Sequence, residues 1–199
     1  MEYLFYEKAG FNDDISHWDV SNVTSLERTF YGATSFNGDL SRWDVSNVTD
    51  MHCTFEGATS FNGDLSRWDV SNVISLAYTF CKAGSFNGDL SRWDVSKVKA
   101  MRGTFSFATS FNSNLSRWNV SDVTDMTFMF NDATSFNGDV SCFDVRQVRE
   151  MEGAFSGATS FDQQLGGAWA RSTADKHCMF RSCPGSIEDK TNDAVGTPR

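Results

Sequence analysis

The chain repeats one segment at a fixed interval of 25 residues: Phe61-Asn-Gly-Asp-Leu-Ser-Arg-Trp-Asp-Val-Ser-Asn-Val73. The other copies, some of them diverged, begin at phenylalanines in the same register: Phe11, Phe36, Phe86, Phe111, Phe136 and Phe161. A constant period of roughly 20 to 50 residues is typical of solenoids, propellers and repeat arrays. The sequence therefore predicts a repeat solenoid of about seven 25-residue turns.

Each unit has two halves with different local signals. Apolar residues at Met51, Phe55 and Ala58 are three or four positions apart, which favours a short helical or 3₁₀ segment around residues 54–58. Residues 64–70 lie between Asn-Gly and Ser-Asn turn residues and are expected to form a short strand. Such strands would stack in register as a parallel sheet, about 4.8 Å apart. The predicted fold class is therefore α/β, and either half could carry the main sheet.

The chain divides into three regions. Residues 1–165 are the predicted solenoid. It opens in mid-repeat, because Met1 falls on the column of Met51, where a column is the set of equivalent positions 25 residues apart. This start suggests a fragment of a longer protein or a truncated sequence. Residues 166–188 are interpreted as a degenerate C-terminal capping repeat, because Trp169 stands one residue late and polar residues replace apolar ones. The remaining residues, 189–199, are interpreted as a disordered tail.

Charge and hydropathy exclude two classes of partner. The net charge of −9 and the pI near 4.7 argue against binding to a nucleic-acid backbone. A stretch of 18 apolar residues is absent from the sequence, so no membrane span is expected in this chain. The five cysteines do not recur with the repeat. They are interpreted as free thiols, with a Cys178–Cys183 bridge as the alternative.

The usual catalytic constellations are missing from the sequence. It contains no P-loop, G-x-S-x-G or G-x-G-x-x-G motif, and its carboxylates repeat with the units, so no unique acid pair stands out. The chain is therefore not expected to be an enzyme or to need a cofactor. No metal site is predicted either, although the aspartates of the Asn-Gly-Asp turns are calcium candidates: Asp39, Asp64, Asp89 and Asp139. The alternative is a local turn in which the carboxylate accepts a backbone hydrogen bond.

Some columns vary freely from unit to unit, whereas the apolar columns do not. The variable columns pass through positions 52, 53 and 56 and their equivalents in the other units. Repeat scaffolds commonly recognise partners through variable positions on one face, although such positions can also simply face water. The binding hypothesis names five contact residues: Arg28, Tyr31, Tyr78, Arg102 and Phe128.

The unit W-D-V-S-N-V-T-x-M-x-x-x-F-x-x-A-T-S-F-N, seen at residues 43–62, resembles the repeat of the DUF285 family, which is grouped with BspA-like leucine-rich-repeat surface proteins. The resemblance covers about residues 5–165. It implies a curved, leucine-rich-repeat-like solenoid and an extracellular or cell-surface location. It supplies no catalytic residue.

The leading hypothesis is a non-enzymatic scaffold that binds an unidentified protein or glycan partner at a cell surface. The first alternative is a purely structural spacer within a larger surface protein. The second is a calcium-dependent extracellular adhesin, for which the Asn-Gly-Asp turns would have to hold the ion.

Overall fold

The computed structural model describes residues 1–188, and most of that range consists of turns. Regular elements occur only near its C-terminal end: β1 Gln164–Leu165, α1 Gly167–Arg171 and β2 Ser186–Ile187, with β1 and β2 paired in parallel. Successive 25-residue units lie on one another and meet in single-residue parallel bridges: Ser25–Asp50, Asp50–Ser75, Ser75–Ala100, Ala100–Asp125, Asp125–Glu150 and Glu150–Asp175. In this part of the chain no helix is long and apolar enough to cross a membrane.

The predicted fold class is wrong, because residues 1–188 do not contain a stack of strand-plus-helix turns that forms a parallel sheet. The helical segment expected at residues 54–58 does not form, because its backbone amides donate partly within the unit and partly to the next unit. Thr54 N–H donates to the Met51 carbonyl at 3.1 Å, whereas Phe55 N–H donates to Thr79 of the next unit at 2.8 Å. Gly57, with φ of +71°, lies in the left-handed region and ends any right-handed turn.

The strand expected at residues 64–70 does not form either, because its backbone amides donate to acceptors within the same unit. Ser66 N–H donates to the Asp64 carboxylate at 2.9 Å, and Trp68 N–H donates to the Leu65 carbonyl at 3.1 Å. These bonds close local turns, so the same amides are not available for a ladder between strands. The unit is instead tied to its neighbour by a side chain, since the Trp68 indole N–H donates to the Leu40 carbonyl at 2.9 Å.

Two rows of stacked phenylalanines form the centre of the core. In one row, the rings of Phe55 and Phe80 lie 5.6 Å apart and nearly parallel, and in the other the rings of Phe61 and Phe86 lie 5.9 Å apart. The two rows also touch, because the centroids of Phe55 and Phe61 are 4.2 Å apart. All four side chains are fully buried. One unit cannot bury these rings alone, so stability is shared between neighbouring units.

The region predicted as a C-terminal cap, residues 166–188, contains α1 and β2. Trp169 lies on α1, is buried, and donates its indole N–H to the Val140 carbonyl at 3.0 Å. This repeats the bond made by Trp68, although Trp169 stands one residue late in the sequence. The helical turn therefore accommodates the extra residue and keeps the tryptophan in the core. The expected tail at 189–199 lies outside the described residues.

Candidate functional site

The variable columns of the sequence lie together on one surface of the structure. We define the variable face as the outward side chains of the turns at residues 2–6, 27–31, 52–56, 77–81, 102–106, 127–131 and 152–156. These turns are held in register by backbone bonds between units, such as Cys53 N–H to Ala77 at 2.9 Å and Tyr78 N–H to Arg102 at 2.8 Å. Side chains from successive units therefore form rows along this face.

All five predicted contact residues lie on the variable face, in two clusters. The first cluster surrounds a groove of about 430 Å³ that includes Arg28, Tyr31 and Tyr78 in its lining. The structure adds lining residues that the hypothesis had not named: Tyr3, Tyr6, His52, Cys53 and Glu56. Tyr3 and Tyr6 occupy the same columns as Arg28 and Tyr31, so the repeat register in the sequence could have identified them.

Arg28 is held by several partners at the edge of the groove. Its guanidinium donates to Glu27, forms a 2.5 Å hydrogen bond with the Tyr3 hydroxyl and lies 5.4 Å from the centroid of the Tyr3 ring. Its other terminal nitrogen lies 3.5 Å from Nε2 of His52. Hydrogen bonding to Tyr3 and the charge of Glu27 help to raise the pKa of Arg28 against the effect of its burial. The guanidinium is therefore held in place and paired with Glu27.

The second cluster joins Tyr78, Arg102 and Phe128. Arg102 Nε donates to the Tyr78 hydroxyl at 2.7 Å, and its guanidinium carbon lies 5.6 Å from the centroid of the Phe128 ring. The hydrogen bond to Tyr78 is the main cause that raises the pKa of Arg102, and Asp125 lies 4.0 Å from the guanidinium. A cation above an aromatic ring in this way orders both side chains before any partner binds.

Tyr78 and Phe128 lie over glycines of the next unit. A β-carbon built on Gly103 would be 2.5 Å from two ring atoms of Tyr78, and one built on Gly153 would be equally close to Phe128. The column therefore alternates between large and small residues: Tyr3, Arg28, Cys53, Tyr78, Gly103, Phe128 and Gly153, with two large residues at its start. The rings of Tyr78 and Phe128 each require a small residue in the next unit, which explains part of the variability of this column.

The backbone at this column is left-handed in every unit. Tyr78 has φ of +56° and Phe128 also has φ of +56°, close to the +58° of Gly103 and the +57° of Gly153. Glycine adopts this region freely, whereas a residue with a β-carbon is destabilised there by about 1–2 kcal/mol. The aromatic side chains therefore occupy positions at which the backbone conformation alone favours glycine.

The calcium candidates form local turns. The carboxylates of Asp39, Asp64, Asp89 and Asp139 each accept the backbone N–H of the serine two residues later, at 2.9 Å. The preceding asparagine is also engaged, since Asn62 Oδ1 accepts the N–H of Asn87 in the next unit at 2.9 Å. Residues 1–188 contain no cluster of three or more His, Cys, Asp or Glu side chains that could hold a metal ion.

The cysteines are free thiols in the structure, including Cys178 and Cys183. Burial raises the pKa of Cys81 to about 12 and also raises the pKa of Cys53, so both thiols stay protonated at neutral pH. Cys53 lies in the groove but carries no activated thiolate. The other side chains that line the groove are tyrosines, an arginine, a histidine and the carboxylate of Glu56.

Comparison with known families shows which protein family the chain belongs to. The family model described as "Mycoplasma protein of unknown function, DUF285" matches residues 1–93 and 75–192. These ranges together cover most of the sequence, so the chain belongs to the DUF285 family, and the recognition from the repeated motif is confirmed. No curated protein matches the chain.

Proposed function

We propose that this DUF285 protein is a non-enzymatic scaffold that binds a protein partner through the variable face. The observation that carries the proposal is the placement of Tyr78 and Phe128. Both are bulky side chains in a left-handed backbone position that glycine fills in the neighbouring units. Neither is among the buried residues of the core. Core packing does not account for the strain, whereas binding would give these rings a function at the surface.

The chemistry of the face favours a protein partner. Tyrosine and arginine are enriched among the residues that contribute most to protein interfaces. Arg28 and Arg102 are already ordered by Tyr3 and Tyr78, so less side-chain entropy is lost when a partner binds. Stacked aromatic and guanidinium groups of this kind combine apolar area with fixed hydrogen-bond donors.

The test compares two variants of the full chain. Tyr78→Ala combined with Phe128→Ala removes both aromatic side chains, and Ile74→Thr serves as the control. Ile74 is 48% exposed and belongs to a column in which other units carry threonine, so the control removes surface apolar area away from the face. The immobilised proteins are incubated with an extract of the cells that produce the protein, and captured partners are identified by mass spectrometry.

We expect the wild type and Ile74→Thr to retain the same partner and the double variant to lose it. If all three proteins retain the same set, the variable face is not the binding surface, and a structural spacer becomes the better account. The cell-surface location implied by the family resemblance is part of the proposal. It is tested by labelling intact cells with a membrane-impermeant biotin reagent, which should modify the protein only if it is exposed outside the cell.

A further inference from the structure

The groove at the N-terminal end of the variable face combines tyrosine rings with an excess of carboxylates. Tyr6 and Tyr31 stack with their ring centroids 4.8 Å apart, and Tyr3 lies 5.7 Å from Tyr6. Glu56 lines the same groove as Tyr6 and Tyr31. Its charge is the main cause that raises the pKa of Tyr31.

Two further carboxylates border the groove. Glu27 accepts a hydrogen bond from the Tyr3 hydroxyl at 2.9 Å. Glu7 is the neighbour of Tyr6 in the chain. Burial and, after it, the charge of Glu7 raise the pKa of Tyr6. The Glu7 side chain also lies over Gly32, where a β-carbon would be 3.4 Å from the Cγ of Glu7.

The positive charge in the groove is smaller than the negative charge. Arg28 is the arginine in the groove lining, and its guanidinium is already paired with Glu27. Within residues 1–188, neither Glu7 nor Glu56 takes part in an ion pair. Glu56 in the lining and Glu7 and Glu27 at its border are three carboxylates near the one guanidinium of Arg28, and the chain as a whole carries −9.

We propose that this groove binds a lysine or arginine side chain from a basic segment of the partner, with Glu56 as the charged contact and Tyr31 and Tyr6 as the aromatic wall. The inference rests on the proposed function and specifies the chemistry of the partner. A cation in the groove would gain Coulomb attraction from Glu56 and Glu7 and a cation–π interaction with the half-buried ring of Tyr6 or Tyr31. An acidic segment would meet the unpaired carboxylates and be repelled.

The probe is a capped peptide of four lysines separated by glycines, and its match is the same peptide with every lysine acetylated at Nζ. Binding to the full chain is followed by NMR chemical shifts. Glu56→Gln removes the charge at nearly constant shape. Asp69→Asn is the control, because it removes one carboxylate outside the groove at a position where the chain carries an asparagine, Asn119, in another unit.

We expect the lysine peptide to shift resonances of Tyr6, Tyr31 and Glu56. Glu56→Gln should weaken its binding about two- to fivefold, which is the size that one exposed charge pair gives, and Asp69→Asn should have a smaller effect. Acetylation should abolish binding, because it removes the cation. Equal binding of the acetylated peptide, or equal losses in the two variants, would overturn the inference.

The same proteins separate this inference from the proposed function. If Tyr78→Ala with Phe128→Ala loses the captured partner while the lysine peptide fails to bind the wild type, the variable face is still the binding surface and only the basic chemistry is wrong. If the lysine peptide binds through Glu56 while the double variant keeps the captured partner, the groove binds cations but the proposed function fails.

Discussion

The ring of Tyr78 fills the space that a β-carbon of Gly103 would occupy, with two of its ring atoms 2.5 Å from that position. The two residues belong to adjacent units and hold the same position in the 25-residue period. The residue that one unit can carry on the variable face therefore depends on the residue in the next unit. Side chains at equivalent positions of adjacent units on the variable face must therefore fit against each other.

Gly103→Ala should destabilise the protein by about 1–2 kcal/mol from the left-handed backbone alone, with a further contribution from the contact with Tyr78. Urea unfolding of the full chain measures the effect. Gly84→Ala is the matched control, because a β-carbon there would meet only Thr109 at 3.6 Å, and its φ is not positive. An equal loss in both variants would contradict the pairing of Tyr78 with Gly103.

A double-mutant cycle isolates the steric part. In the Tyr78→Ala background, Gly103→Ala should cost less than it does in the wild type, because the ring is no longer in the way. The destabilisation that remains in this background comes from the left-handed backbone at residue 103. Additive losses would show that the contact between Tyr78 and residue 103 contributes nothing.

Phe80→Ala should destabilise the protein by about 3–5 kcal/mol, because it opens a cavity in the stacked row. The ring of Phe80 is fully buried and lies 5.6 Å from the rings of both Phe55 and Phe105. Phe107→Ala is the comparison, since Phe107 is 45% exposed. Equilibrium denaturation should separate the two variants clearly, and similar losses would mean that the row does not form the core.

Stability should fall in acid because the turn carboxylates lose their charge. Hydrogen bonds from the serines two residues later lower the pKa of Asp64 and Asp89 below the usual range. A carboxyl group with a lowered folded-state pKa stabilises the protein above its unfolded pKa of about 3.9, and this contribution is lost as the pH falls through the folded value. The acid-sensitive window therefore begins near that unfolded pKa and extends below it.

The combined variant Asp64→Asn with Asp89→Asn tests this prediction. Asparagine keeps the acceptor oxygen, as Asn114 does when it accepts the Ser116 N–H at 2.9 Å. The variant should be less stable than the wild type near neutral pH. The difference should vanish at pH values below both the folded-state and the unfolded-state pKa of these carboxyl groups. Urea unfolding across the acid range measures the difference, and a gap that does not change with pH would refute the carboxylate explanation.

Asn62→Ala should weaken one link between units. Asn62 Oδ1 accepts the N–H of Asn87, so the variant exposes that amide to solvent, and we expect faster hydrogen exchange at Asn87. The cost in stability should be about 0.5–1.5 kcal/mol. Asn62→Asp keeps the acceptor oxygen and should protect the amide better than alanine does. Equal exchange rates in the wild type and Asn62→Ala would mean that this bond does not form in solution.

Calcium should not change the stability of the chain. Each candidate aspartate uses one carboxylate oxygen in its own turn, and calcium requires about six to eight oxygen ligands. Thermal unfolding in EDTA and in millimolar Ca²⁺ should give the same midpoint. A large upward shift with Ca²⁺ would show that Asp39, Asp64, Asp89 and Asp139 bind the ion and would revive the hypothesis of a calcium-dependent adhesin.

The sequence predicted the periodic contacts better than the local backbone. The spacing of Phe55 and Phe80 by one period correctly placed them in the core, because identical apolar residues in register must be covered by a neighbouring unit. The strand and helix were wrong because the periodicity of apolar residues does not reveal where backbone amides donate. The left-handed conformation of Cys53 was not visible either, since a non-glycine residue rarely adopts it.

The candidate site was partly predictable for the same reason. The variable columns pointed to Arg28, Tyr31, Tyr78, Arg102 and Phe128, and the structure places all five on the variable face. The contacts of Tyr3 and Glu56 with this set depend on how side chains lean from one unit to the next. That information comes from packing, although the alternation of large residues with Gly103 and Gly153 was already present in the sequence.

Binding through the variable face is tested most directly by the affinity of the captured partner for three proteins: the wild type, Ile74→Thr, and Tyr78→Ala combined with Phe128→Ala. We expect equal affinities for the first two and a loss of at least about tenfold for the third, as is typical when aromatic residues at the centre of an interface are removed. Circular dichroism should show that all three are folded. An unchanged affinity in a folded double variant would contradict the assignment of the variable face as the binding surface.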